Sequence, residues 1–294
     1  MATESETGAP TTPSASDRFD LSAVLGDDFY IHAALVGSIL LMGLPLILAL
    51  IMSTQSTTEI YQVTNIGIGS KGLANFQTAL TDYHLMQYMV NSFVMASVIV
   101  VGKVALSLLA ALALVYYRLP YERAVFMFIL LTLLMPVPVR IVPLFQLMAD
   151  LGWANSMLAI TGPYLASATA VFLFRQHFMS IPGSLVENAR LDGVGPITFL
   201  VKVLIPMSKG MIVGVSVITF IYAWNQYLWP LIVISDQNKQ VVQVGIKYLQ
   251  GASQSGLTQW GLIMAGAVIA LIPPLVVLIA LHRPLLETFA LQQK

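Results

Sequence analysis

The sequence predicts an all-α membrane protein: six transmembrane helices, with a short cytoplasmic helix in the connection between the fourth and the fifth. Three observations carry this expectation. Hydrophobic residues make up 57% of the 294 and charged residues only 10%, whereas a soluble domain carries about 25% charged residues. Six stretches are apolar over lengths that cross a ~30 Å hydrocarbon core, which takes about 20 helical residues. Between the fourth and fifth of them lies a polar island, Glu187-Asn188-Ala189-Arg190-Leu191-Asp192-Gly193, closed downstream by Ile205-Pro206.

Residues 1–28 precede the spans. Glu4, Glu6, Asp17, Asp20, Asp27 and Asp28 stand there against one base, Arg18, among Ser, Thr and Pro. Such a composition cannot bury enough apolar surface to order itself, so a disordered acidic tail is expected; without a basic n-region it does not read as a signal peptide. The membrane domain then occupies 29–294, with spans at about 29–53, 86–117, 123–148, 156–179, 207–235 and 259–282. Residues 54–85 and 236–258 are polar loops, 118–122 and 149–155 are tight turns, and 180–206 is the polar connection.

Positive charge sets the sidedness. With both termini cytoplasmic, the inner segments hold eight bases: Arg18, Arg118, Arg123, Arg190, Lys202, Lys209, Arg283 and Lys294. The outer segments hold three, Lys71, Lys239 and Lys247, and three more (Lys103, Arg140, Arg175) fall within spans. This bias places the polar island in the cytoplasm.

Within the island, Ser184-Leu185-Val186-Glu187 has capping-box spacing: Ser184 as N-cap and Glu187 reaching back to its amide. A short helix is expected from about Leu185 to Asp192, broken by Gly193, Gly195 and Pro196 before a second helix begins. Leu185, Val186, Ala189 and Leu191 would hold it flat on the membrane, and small Ala189 would admit a close partner. A loop that merely links two spans is the plainer reading of the same residues.

Charges inside spans cost roughly 2.5–3.5 kcal/mol on insertion scales, so each needs a reason. Lys103 lies near the middle of its span beside Gly102; it faces either a translocation pathway or a neighbouring helix. Arg140 follows Pro136 and Pro138 and precedes Pro143; three prolines free backbone carbonyls and bend the third span, which is tolerated at membrane depth only inside protein or beside water. Arg140 either snorkels outward or presents a forked donor suited to an anion. Arg175, near the cytoplasmic end of its span, reads as snorkelling. Trp224, Asn225, Gln226, Tyr227 and Trp229, before Pro230, are either an interfacial belt or, for the two amides above all, a lining of the pathway.

Several chemistries are excluded. The chain has no cysteine, so it has no disulfide, thiolate metal site or cysteine nucleophile, and its four histidines show no metal-ligand spacing. Gly67-Ile68-Gly69-Ser70-Lys71-Gly72 lacks the spacing of a nucleotide-binding phosphate loop. No arrangement of catalytic residues suggests an enzyme.

The spacing Glu187-x-Ala189-x3-Gly193-x9-Val203-x-Ile205-Pro206 resembles the cytoplasmic loop of binding-protein-dependent ABC importer permeases, with Asn188 and Ile205 as its two departures. The resemblance covers nearly all of 29–294. Leu134–Ile141, Ala166–Gln176 and Ile218–Pro230 are most similar to the carbohydrate-uptake branch, and within it to permeases for glycerol-3-phosphate. This resemblance implies a coupling helix gripped by an ATPase, with Ser184, Glu187, Asn188, Ala189, Asp192, Gly193 and Pro206 as its residues. It also implies a complex of two different permease subunits, two ATPase subunits and an extracellular solute-binding protein, in which each permease forms half of an alternating-access pathway. ATP and Mg would bind the ATPase subunits, with no cofactor in this chain. Lys103, Arg140, Trp224, Asn225, Gln226 and Tyr227 are the pathway candidates. The outer loop 236–258, with Gly251-Ala252-Ser253-Gln254-Ser255-Gly256, would meet the binding protein, although a Gly/Ser-rich stretch is equally a flexible linker. The substrate implied is glycerol-3-phosphate or a related phosphodiester, with a neutral sugar as the alternative. A secondary transporter would need ion-coupling carboxylates within its spans, and a channel or scaffold would not need the cytoplasmic helix.

Overall fold

The computed structural model describes residues 29–62, 67–117, 119–251, 253–254 and 256–291. The acidic tail, Arg118, Ala252, Ser255 and Lys294 lie outside these residues. In chain order the helices are α1 (Phe29–Ser53), α2 (Thr57–Tyr61), α3 (Ala74–Thr81), α4 (Leu85–Tyr116), α5 (Glu122–Leu131), α6 (Val137–Asp150), α7 (Met157–Thr161), α8 (Ala168–Met179), α9 (Gly183–Leu191), α10 (Pro196–Phe199), α11 (Ile205–Met207), α12 (Lys209–Trp224), α13 (Leu228–Val233), α14 (Val242–Gln250) and α15 (Trp260–Leu291). Between α14 and α15, β1 (Ser253–Gln254) and β2 (Leu257–Thr258) pair antiparallel, with Ser253 opposite Thr258.

The chain divides into two compact units, residues 1–48 and 49–294. In the first, residues 29–48 of α1 are apolar and exposed or half-buried along their whole length, as suits a helix in lipid. Three helices, α1, α4 and α15 as far as His282, are long and apolar enough to cross a membrane, and three bent pairs bring the total to as many as six.

The third span is bent, as its prolines lead one to expect, and two further breaks interrupt the fourth span and the approach to the fifth. The third span breaks by 104° between Glu122–Leu134 and Pro138–Asp150. Pro136 caps the second half in extended conformation, and neither it nor Pro138 has an N–H to continue the ladder. The fourth bends by 40° between Met157–Tyr164 and Ala168–Met179. There Pro163 sits in a 3₁₀ turn, and Ser167 restarts the helix with its hydroxyl accepting from the Ala170 amide at 3.3 Å. Pro196–Met207 meets α12 at 83°, after a π-helical turn over Leu200–Leu204. Phe199, Leu200 and Leu204 are buried, so the polar connection is narrower than 180–206. The expected fifth span, 207–235, ends as a helix at Trp224, and α13 is a separate element.

Two cores build the second unit. One gathers Leu85, Met95 and Ile99 of α4 with Trp224, Trp229, Leu249 and Leu262. The other gathers Leu108 and Leu112 of α4 with Phe174, Phe178, Phe199, Leu204 and Val215, and Val186, Ala189 and Val194 pack against it.

A capping box does form, at Ser56 rather than at Ser184. The Ser56 amide donates to Glu59 Oε2 at 2.7 Å, and the Ser70 amide donates to the same carboxylate at 3.1 and 3.2 Å. The Ser56 backbone bond, with help from Ser70, holds the Glu59 pKa down at about 2 against an ordinary 4.5. A carboxyl depressed in the folded state stabilises above its unfolded pKa, and that stabilisation is lost as pH falls through the folded value. Glu59→Gln is therefore expected to lower the melting temperature at neutral pH. Its deficit against the parent should shrink between pH about 4.5 and about 2; a deficit independent of pH in thermal melts would disprove the assignment.

Candidate functional site: a cavity between two cores and a helical loop

Lys103 lies on α4 between Ile99 of one core and Leu108 of the other, and a cavity of about 510 Å³ opens there. Its wall takes Lys103 from α4, Arg140 from α6, Tyr164 and Ser167 from the break in the fourth span, Thr169 and Ala170 from α8, Thr219 and Tyr222 from α12, and Trp229 from α13. The Lys103 ammonium stands 5.4 Å from the centroid of the Tyr222 ring, and Tyr222 is 6.4 Å from Tyr164. Trp229 is 2% exposed and donates its indole N–H to the Ala159 carbonyl at 2.9 Å, which fixes its orientation. The three stretches singled out by resemblance, 134–141, 166–176 and 218–230, all contribute to this wall.

Of the six pathway candidates, Lys103 and Arg140 line the cavity. Trp224 does not: it is 1% exposed, donates to the Ala270 carbonyl at 3.1 Å, and stacks on Phe220 within the first core. Asn225 is exposed just beyond the end of α12, where its amide donates to the Ile221 carbonyl at 2.9 Å and accepts from Gln243 at 3.2 Å. Gln226 and Tyr227 are half-buried in the break before α13, and Lys247 sits over the Tyr227 ring at 5.7 Å. The helix ends before these three residues, so their side chains leave the face of α12 that carries Thr219 and Tyr222. Arg175 finds a partner near the end of its span. It pairs with Glu122 at 3.2 Å and stacks on Phe126 at 4.2 Å, a fixed contact between the fourth and third spans.

Tyr164, Ser167, Thr169, Thr219 and Tyr222 are not among the individual candidates read from the sequence, although all but Tyr164 lie in the stretches that carry the resemblance. Two signals were available: Ser167 has N-cap chemistry ahead of an apolar run, and Thr219 and Tyr222 stand at i, i+3 on one helix face.

At one end of α4 the second feature of the site packs against the Leu112–Tyr116 turn. α9 begins at Gly183, one residue before Ser184, so Ser184 lies inside the helix and does not cap it. Val186 and Ala189 turn inward and, with Leu112, Tyr116, Val194 and Phe199, wall a space of about 250 Å³. Ala189 thus packs toward the second core, alongside Leu112 and Tyr116 of the chain's own α4. Leu185 and Leu191 are exposed (Leu191 by 86%), together with Ser184, Glu187, Asn188 and Asp192. Gly193, at φ +68°, ends α9 in the left-handed conformation, and the Val194 amide reaches back to the Ala189 carbonyl at 2.9 Å. That is the six-to-one bond of a Schellman cap. Pro206 lies in α11, just before the 83° turn into α12.

A largely apolar cavity carrying two cations and several hydroxyls among broken membrane helices, in a chain that also has a capped helical loop, suits a transport permease. Residues 103–286 match the family of binding-protein-dependent transport system inner membrane components. The chain belongs to that family. It is similar to the sn-glycerol-3-phosphate transport system permease protein UgpE of Pectobacterium atrosepticum, with 41% identity over 88% of this chain and 94% of the relative. The protein of the same name from Salmonella typhi is 40% identical over the same shares. Among solved structures, a chain of a bacterial ABC transporter involved in the import of the acidic polysaccharide alginate has the same fold. It superposes with a TM-score of 0.75 at 23% identity, covering 92% of this chain and 99% of that one. A chain from the alginate transporter in complex with an alginate pentasaccharide-bound periplasmic protein gives 0.54 at 15% identity, covering 89% and 95%.

Proposed function

We propose that this permease subunit imports glycerol-3-phosphate or a related glycerophosphodiester. It forms half of an alternating-access pathway with a second permease subunit, receives solute from an extracellular binding protein, and is driven by two ATPase subunits that hold ATP and Mg. The chain itself performs no catalysis. The observation that carries the substrate is that Lys103 and Arg140 line one cavity, alongside about 40% identity to relatives named for that solute. A cavity in the membrane offers little water to an anion, so cations on its wall have to replace the lost hydration.

Coupling runs through α9. Its outward face of Ser184, Leu185, Glu187, Asn188 and Leu191, with Asp192 beyond its end, is the surface offered to the ATPase; its inward face of Val186 and Ala189 carries the motion to α4. The excess of basic residues in the segments on that side puts both termini in the cytoplasm. Lipid surrounds the apolar spans.

Co-purification of the chain with its ATPase subunits, followed by ATPase assays with loaded binding protein, tests this reading. Stimulation by glycerol-3-phosphate and not by a disaccharide is the expected result. Stimulation by the disaccharide alone would make the solute a neutral sugar, and failure to retain an ATPase would overturn the coupling role of α9.

A further inference from the structure

We infer that the N-terminus of α8, together with Lys103, forms a phosphoryl-binding subsite in the cavity. The inference rests on the importer reading above and assigns the phosphoryl end of the solute to named groups.

The α8 helix has twelve residues, and its first turn opens onto the cavity through Ser167, Ala168, Thr169 and Ala170. The first amides of a helix have no intrahelical acceptor. In α8 the Val171 amide makes the first backbone bond, to the Ser167 carbonyl at 3.0 Å, and the Ala170 amide is taken by the Ser167 hydroxyl. The amides of Ala168 and Thr169 precede both, at the positive end of the helix dipole, which is where phosphate oxygens bind in proteins.

Lys103 is the second, independent observation. It is 7% exposed, lines the same cavity, and among the described residues makes no hydrogen bond or ion pair; its one neighbour of note is the face of Tyr222. A buried ammonium without an anion is costly, and a phosphoryl group supplies that anion. Thr169 and Arg140 line the same cavity and offer further donors for the remaining oxygens. A phosphoryl group could arrive on the solute or on a lipid headgroup, and the geometry of a cavity at mid-span favours the solute.

Ala168→Pro is the sharpest probe. Ala168 is the first helical residue, a position where proline fits the backbone, and Ser167 before it is already extended at φ −148°, ψ 112°. The substitution therefore removes one N–H and leaves the helix. The full complex, reconstituted with its binding protein in vesicles of stated anionic phospholipid content, would be assayed for glycerol-3-phosphate uptake. Ala168→Pro and Lys103→Met are each expected to raise KM by about ten- to hundredfold, as loss of a charge-assisted hydrogen bond does, with a smaller change in kcat and partial rescue by Lys103→Arg. Wild-type KM in both variants would overturn the subsite while leaving the importer reading in place. A KM unchanged with a lost dependence on anionic lipid would overturn it in favour of a headgroup. Loss of assembly in Lys103→Met, with Ala168→Pro transporting normally, would make Lys103 structural and overturn it as well. If the parent complex itself ignores glycerol-3-phosphate, the importer reading fails first, and the variants are not needed to show it.

Discussion

Trp224→Ala is expected to be the most damaging single change in the molecule, costing about 3–5 kcal/mol of stability, as removal of a large buried aromatic does. Trp224 is 1% exposed, stacks on Phe220 with centroids 5.9 Å apart, and donates to the Ala270 carbonyl at 3.1 Å. Truncation removes the ring contacts, opens a cavity in the larger core, and breaks a bond between α12 and α15. Trp224→Phe keeps most of the packing and loses the hydrogen bond, so it should cost about 1 kcal/mol. Thermal melts of the purified complex would measure both. A core role predicts that the phenylalanine variant keeps the parent's solute preference. A changed preference without a change in melting temperature would return Trp224 to the pathway.

Gly193→Val should uncouple the transporter with little effect on membrane insertion. The backbone there is left-handed at φ +68°, and no atom outside the local chain lies within 4 Å of where a side chain would begin, so the obstacle is the backbone conformation and not crowding. An L-residue in that region costs roughly 1–2 kcal/mol, enough to lower the population of the capped loop about five- to thirtyfold. The bond from the Val194 amide to the Ala189 carbonyl would go with it, and with that bond the contact between α9 and the second core. Solute-stimulated ATPase activity should fall in proportion. Gly193→Asn, which tolerates the left-handed region, should retain most of the activity. Equal activity in the valine variant would remove α9 from the coupling route.

Both variants turn on features the sequence treats unequally. Gly193 is legible because so few residues accept its conformation, and its place after an apolar-polar helical run marks a C-terminal cap. Trp224 is not legible in the same way. A tryptophan beside two amides and a proline suits an interface, a pathway or a core, and only its neighbours Phe220 and Ala270 decide among them. The capping box teaches the same lesson. Ser184…Glu187 and Ser56…Glu59 have the same spacing, yet only the second closes. At the first, the helix starts one residue early at Gly183; at the second, the Ser70 amide fixes the carboxylate from outside the helix.

The sequence by itself determined the membrane class, the existence of the spans, the polar helical loop and the two cations at depth. Each follows from local composition: a 20-residue apolar run can satisfy its backbone in lipid only as a helix, and a charge within it stands out. Only the tertiary structure decided that breaks interrupt the fourth span and the approach to the fifth as well, and that residues 103, 140, 164, 167–170, 219, 222 and 229 share one cavity. It also decided that Arg175 is paired with Glu122 while Lys103 is left facing the cavity. The physical reason is that these outcomes depend on which faces meet across segments more than 50 residues apart, and no local pattern encodes that meeting.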